Sequence, residues 1–149
     1  NSIAWEVFSG SKYYRPERAR KSLISLVRLE DEEGNNDVYN DVLFGIGNNH
    51  AGTYYPVIEK ALKFIIIVAL ESSNEVGRNC ALNIIIDLYA GFGPEIEGCS
   101  NEEYDTLKTW VVNYTESFTK AFEQRVMKDT ETERNNDLLK EILECIKED

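Results

Sequence analysis

The sequence predicts an all-α fold of about six helices, and three observations support this prediction. Apolar residues recur at spacings of three and four along most of the chain, which is the period of an amphipathic helix. Residues suited to helix ends, such as Pro16 and Ser100, separate these periodic segments. The chain has 149 residues, of which 42% are hydrophobic, so it can bury a core. We therefore predict a single all-helical domain over residues 1–149.

The first two helices are separated by an acidic linker. Pro16 suits a first helical turn, and the apolar residues that follow predict a helix over about 16–29. A second, short helix is predicted over 37–45 from the spacing of its apolar residues. The linker over 30–36 is acidic and contains a glycine, so we expect it to be exposed. A loop rich in glycine and asparagine follows over 45–56.

Two β-branched runs lie in the middle of the chain, and each could form a buried strand by itself. They are the segments 64–68 and 84–86. Apolar residues upstream of each run continue it with helical period, so we predict helices in both places, the first over about 56–71. The stretch 72–75 contains residues that can cap the second of these helices.

The last third of the chain predicts two more helices. Ser100 or Asn101 can cap a long helix whose apolar stripe extends to Val126. A final amphipathic helix is predicted over about 133–147, and the pattern leaves open whether 126–137 separates the two helices or joins them. Three helical hairpins of this length are typical of HEAT-type repeats, which form a short right-handed solenoid. A compact helical bundle is the alternative, because no internal repeat is visible.

Charge provides the first indication of function. The formal net charge of −11 argues against direct binding to nucleic acid or to an anionic membrane, and favours a basic protein partner. Residues 30–59 contain seven acidic residues and no Lys or Arg, whereas residues 1–29 have a net charge of +4. We predict that a partner binds the acidic segment and the aromatic residues near it. The predicted partner-binding residues are Asp31, Glu32, Glu33, Asp37, Tyr39, Asp41, His50, Tyr54 and Tyr55. Solvated acidic loops and aromatic residues that close a small core are the alternative interpretations.

Residues that could carry catalysis or bind metal are sparse. His50 is the one histidine, and the sequence nominates no orienting group or nucleophile for it. Cys80, Cys99 and Cys145 lack the spacing of metal ligands, so we expect no metal, no cofactor and no enzymatic activity. The odd number of cysteines, the absence of a C-x-x-C motif and the lack of a visible signal peptide predict a cytoplasmic protein with reduced thiols. No apolar run is long enough for a membrane helix.

One part of the sequence resembles a known group of proteins. The stretch 47–65, in which His50 and Gly52 precede Thr-Tyr-Tyr-Pro and an apolar helix, resembles bacterial HEAT-like repeat proteins. The segment 75–78, Glu-Val-Gly-Arg, and the opening Ile-x-Trp also match, so the resemblance covers about residues 3–91. Lys63 stands where these proteins have proline, and Ala51 where they often have glutamine.

The resemblance implies stacked α-helical hairpins, and some members of the group look like immunity proteins encoded beside bacterial toxins. Small acidic domains are suited to neutralise basic nucleases, since charge accelerates association and blocking a cleft needs no chemistry. We therefore hypothesise an immunity protein that occludes a basic toxin nuclease delivered by contact-dependent or polymorphic systems. A HEAT-like adaptor without a toxin partner, and a hydrolase or DNA-base enzyme, are the alternatives. The sequence leaves the oligomeric state open.

Overall fold

A computed structural model describes residues 5–8, 11–126, 128 and 132–148. Its α-helices are α1 (Pro16–Arg28), α2 (Asn35–Gly45), α3 (Ile58–Glu71), α4 (Glu75–Ile86), α5 (Asn101–Glu116), α6 (Thr119–Val126) and α7 (Glu133–Glu148). Its strands are β1 (Gly47–Asn48), β2 (Thr53–Tyr54) and β3 (Gly93–Pro94). Short 3₁₀ segments cover Trp5–Val7 and Glu32–Gly34, and a π-helical segment, Asp87–Gly91, extends α4. Among the described residues, no helix combines the length and the apolar character needed to cross a bilayer.

The predicted helix starts agree with the observed capping. Pro16 occupies the first turn of α1. The side chain of Asn74 accepts hydrogen bonds from the backbone N–H groups of Val76 and Gly77 at the start of α4. Ser100 and Glu103 form a reciprocal capping box at the start of α5. These contacts satisfy backbone donors that would otherwise lack partners at the helix N-termini.

The helices pack in two layers, and this arrangement confirms the all-α prediction as a compact bundle. Helix α3 contacts α1, α5 and α6 in one layer, and α4 contacts α2 and α7 in the other. The pairs α1/α2, α3/α4 and α6/α7 join the layers. A single apolar cluster fills the space between them, and both β-branched runs contribute to it from helices, as predicted. Among its fully buried side chains are Leu26, Leu62, Ile65, Ile85 and Phe122.

The prediction of one long helix from residue 101 to Val126 was wrong, because the structure divides it into α5 and α6. Hydroxyl groups at the junction donate to backbone carbonyls one turn back. Thr115 donates to Val111, Ser117 to Tyr114 and Thr119 to Glu116, at 2.8, 2.6 and 2.6 Å. Such bonds compete with the helical ladder and favour a break. Helix α6 ends at Val126 and α7 begins at Glu133, so they are separate helices.

The glycine-rich loop also contains more order than the sequence predicted. Strands β1 and β2 pair antiparallel, and β2 pairs parallel to β3, which joins this loop to the segment after α4. Gly47 allows β1 to approach β2 closely, because a Cβ atom at this position would lie 2.0 Å from the carbonyl oxygen of Thr53. Helix α3 begins at Ile58, two residues after the predicted start at Pro56.

We predict that Gly47→Ala destabilises the fold by about 1–3 kcal/mol or more, since β1 and β2 must separate to admit the methyl group. The melting temperature should fall by roughly 3–10 °C in a calorimetric scan. Gly91→Ala is the matched control, because a Cβ atom there meets no other atom within 4 Å. Equal melting temperatures for the two variants would contradict the close approach of β1 and β2.

Candidate functional site

A polar groove lies on the outer side of the layer formed by α2, α4 and α7. Its volume is about 490 Å³. We call it the amide groove, because four of the residues that line it are asparagines. The lining residues are Glu32, Asn35, Asn36, Tyr39, Asn79, Asn83, Ile86, Asp87 and Glu141. Three helices and the π-helical segment therefore contribute to one surface.

A chain of asparagine side chains holds these helices together beneath the groove. The Nδ2 of Asn35 on α2 donates to Oδ1 of Asn79 on α4 at 2.9 Å. Asn79 in turn donates to Oδ1 of Asn135 on α7 at 3.0 Å, and Asn135 donates to the backbone oxygen of Glu75 at 2.9 Å. Asn135 has no exposed surface and Asn79 is 7% exposed. Buried amides without partners are costly, so this chain fixes how the three helices align.

Tyr39 and Asp87 form the second fixed contact of the groove. The Tyr39 hydroxyl donates a hydrogen bond to Oδ2 of Asp87. Burial, and then this hydrogen bond, raise the pKa of Tyr39, so the hydroxyl stays protonated near neutral pH. Asp87 is the first residue of the π-helical segment, a type of helix irregularity that is frequent at functional sites. Within the described part of the chain, no hydrogen bond or ion pair uses its Oδ1 atom.

Arg134 on α7 lies at one end of the groove and pairs with two carboxylates. Its Nη2 contacts a carboxylate oxygen of Glu32 and lies 3.3 Å from Oε2 of Glu75. The hydrogen bond from Arg134 lowers the pKa of Glu32. These side chains are exposed enough for solvent to screen them, so we assign the contact a modest role in stability. Its effect on the surface is to neutralise part of the charge of Glu32.

The amide groove can accept a cationic group. Glu32, Asp87 and Glu141 supply carboxylates, and none of the lining residues is Lys or Arg. Carboxylates accept bidentate hydrogen bonds from a guanidinium, and the asparagine side chains offer further acceptor oxygens. A guanidinium or ammonium group therefore fits this surface chemically.

The structure distributes the predicted acidic residues over three surfaces. Of these carboxylates only Glu32 lies in the amide groove, and Tyr39 is the one predicted aromatic residue there. A shallower groove on the other side of α2 contains Asp31, Glu33 and Asp37, together with Arg28 of α1. Asp41 shares a surface with basic residues of α1, namely Arg15, Arg18 and Lys21. The acidic segment thus has cations beside it in the fold, although residues 30–59 contain no Lys or Arg.

Tyr54 and Tyr55 are core residues in this structure. They are 0% and 3% exposed, and the ring of Tyr55 packs edge-on against Tyr14 at a centroid distance of 6.0 Å. A side chain without exposed surface cannot anchor a partner unless the fold opens. This corrects the predicted surface, from which we remove both residues.

His50 is exposed in the turn between β1 and β2. Its ring packs edge-on against Phe44, with centroids 4.9 Å apart. Among the described contacts, no hydrogen bond joins its imidazole to a carboxylate, hydroxyl or thiol. The described environment of the imidazole is therefore an aromatic packing contact and does not form an acid-base pair.

The groove residues that the sequence did not predict include Asp87, Glu141, Asn79 and Asn83. A signal for three of them exists, because Asn79, Asn83 and Asp87 recur every four residues in a mostly apolar stretch and so share one face. No local pattern could bring Glu141 to the same place, since it comes from α7. The groove arises from tertiary packing.

Comparisons of the chain with protein-family models, with curated proteins and with solved structures found no match. Within the described ranges, no group of three or more His, Cys, Asp or Glu residues is arranged to hold a metal ion. We therefore infer function from the geometry and charge of the chain itself.

We predict that Asn79→Ala lowers the free energy of unfolding by about 1–3 kcal/mol, because the amides of Asn35 and Asn135 lose their shared partner. Chemical denaturation measures this change. Asn113→Ala, on an exposed position of α5, is the control and should stay within about 0.5 kcal/mol of the parent chain. If Asn79→Ala lowers the free energy of unfolding no more than Asn113→Ala does, the amide chain does not hold the helices together.

Burial raises the pKa of the Cys80 thiol to about 12. The thiolate is the reactive form, so the folded chain should leave Cys80 unmodified at pH 8. We predict that iodoacetamide alkylates Cys80 only after denaturant is added, as mapped by peptide mass spectrometry. Rapid alkylation of Cys80 in the native chain would contradict its placement on the buried side of α4.

Proposed function

We propose that this chain is an immunity protein that binds a basic bacterial toxin domain, such as a nuclease, and neutralises it by occlusion. The observation that carries the proposal is the amide groove, a preformed surface lined by three carboxylates, of which Glu32 is paired with Arg134 at the end of the groove. The chain around it has a net charge of −11, which attracts basic proteins at long range. The immunity function itself is what the resemblance of residues 3–91 to HEAT-like repeat proteins implies.

The groove suits a partner that uses cationic side chains to hold phosphate. A nuclease places Arg and Lys where its nucleic acid binds, and the same side chains can enter a groove of carboxylates and amides. Occupation of those cations would exclude the substrate without any chemical step by the immunity protein. Because Asn35, Asn79 and Asn135 already hold the helices in place, binding would cost little reordering of the groove.

The remaining acidic residues of the segment have a supporting role in this proposal. Asp31, Glu33 and Asp37 lie on the other side of α2 and are exposed. Exposed charges at an interface rim mainly accelerate association and make it sensitive to salt. We therefore assign affinity to the groove, and long-range attraction to these three carboxylates.

In this proposal the chain is not a catalyst and acts in the cytoplasm, where an immunity protein would meet a delivered toxin. The position of His50 against Phe44, without a hydrogen-bonded partner among the described residues, supports binding in preference to catalysis.

We predict that Glu141→Lys weakens binding of the cognate partner at least about tenfold, because it places a cation in the groove. The parent chain serves as bait in native cytosol, and the captured protein is identified by mass spectrometry and then purified. Its affinity for the parent chain and for the variant is measured by calorimetry over a series of salt concentrations. The matched control is Glu123→Lys, an equal charge change on an exposed position of α6.

Neutralisation requires a second test with the same partner. Expression of the captured domain in a bacterial host should arrest growth, and co-expression of the parent chain should restore growth. A partner that binds but is harmless would contradict immunity and favour the adaptor function. Equal loss of affinity in Glu141→Lys and Glu123→Lys would contradict the assignment of the groove.

A further inference from the structure

Helix α3 carries a surface row whose order of side chains is self-complementary. Lys60, Phe64, Ile67 and Glu71 follow one another at spacings of four, three and four residues, so they lie along one face of the helix. The row is about 16.5 Å long at 1.5 Å per residue. It contains a cation at one end, two apolar residues in the middle and an anion at the other end.

The row faces outward from the layer of α1, α3, α5 and α6. Ile67 is 51% exposed and Phe64 is 36% exposed, which is high for large apolar side chains. The buried residues of α3 lie on its opposite face, toward α4. Within the described residues, neither Lys60 nor Glu71 forms an ion pair.

An apolar groove continues this surface toward α1. It has a volume of about 250 Å³; its apolar walls are formed by Trp5, Leu23, Ile24, Val27 and Phe64, and Arg20 and Arg28 also line it. Val27 is itself 60% exposed. The exposed apolar surface therefore extends over two adjacent helices, an arrangement that marks interaction sites in soluble proteins.

We propose that this face binds a second copy of the same chain, with the two α3 helices packed antiparallel about a two-fold axis. An antiparallel pairing centred between residues 65 and 66 places Lys60 opposite Glu71 of the partner subunit. The same pairing places Phe64 opposite the partner's Ile67, and the two-fold axis repeats both contacts. A parallel pairing in register would instead set like charges against each other. The order of charges thus makes a second copy of the chain a complementary partner, and it favours the antiparallel over the parallel pairing.

Reversal of the two charges tests the proposed register. We expect the parent chain to sediment as a dimer, with twice the mass of 17.1 kDa, within a range of about 1 µM to 1 mM. Lys60→Glu and Glu71→Lys should each weaken the dimer at least about fivefold, because two opposite-charge contacts become like-charge contacts. The double variant Lys60→Glu/Glu71→Lys should recover most of the affinity, since the pairs are restored with reversed sign.

Control variants separate the register from net charge and from folding. Lys120→Glu makes the same charge change as Lys60→Glu on an exposed position of α6, and should leave the dimer intact. Ile67→Asp should give a monomer with unchanged circular dichroism, since its side chain is half exposed. A parent chain that stays monomeric up to about 1 mM, or a double variant as weak as the single variants, would overturn the proposal. No toxin partner is involved, so this result is independent of the proposed function.

Discussion

The chain of hydrogen-bonded amides from the half-buried Asn35 through the buried Asn79 and Asn135 is the constraint on which the site depends. An amide inside a protein must be hydrogen-bonded, because its desolvation is otherwise uncompensated. The three side chains come from α2, α4 and α7, and their hydrogen bonds tie these helices to the observed alignment. That alignment also sets Glu32, Asp87 and Glu141 around a common groove. Apolar packing provides most of the stability, whereas the amides specify the geometry.

The two layers of the bundle present different chemistry to solvent. The layer of α2, α4 and α7 carries the amide groove, which is polar and anionic. The opposite layer carries the apolar row on α3, with one charge of each sign at its ends. Because the two surfaces face away from each other, a dimer formed through α3 would leave both amide grooves accessible. The two proposals are thus compatible, although each rests on separate residues.

Local rules predicted most of the helices, and tertiary packing determined the site. Helical period and capping residues identified α1, α3, α4 and α7 closely, since both are properties of neighbouring residues. The break at Ser117 was not predicted, because the apolar stripe continues through it and is a stronger sequence signal than the hydroxyl groups that compete for backbone hydrogen bonds.

Surface exposure was harder to predict than helices. Tyr54 is an aromatic residue in a glycine-rich loop, which suggests exposure, but it lies in strand β2 and is buried. Likewise, the cations near Asp41 and Glu32 come from α1 and α7, which charge counting along the chain cannot detect.

Hydrogen–deuterium exchange of the chain with its captured partner would show whether the amide groove is the binding surface. The first turn of α2 and the π-helical segment contain backbone amides near the groove, and these can report the approach of a partner. We predict slower exchange at Asn35–Tyr39, at Asp87–Gly91 and around Glu141, with little change in α3. Protection confined to α5, or to the turn around His50, would show that the partner binds elsewhere and would contradict the assignment of the amide groove.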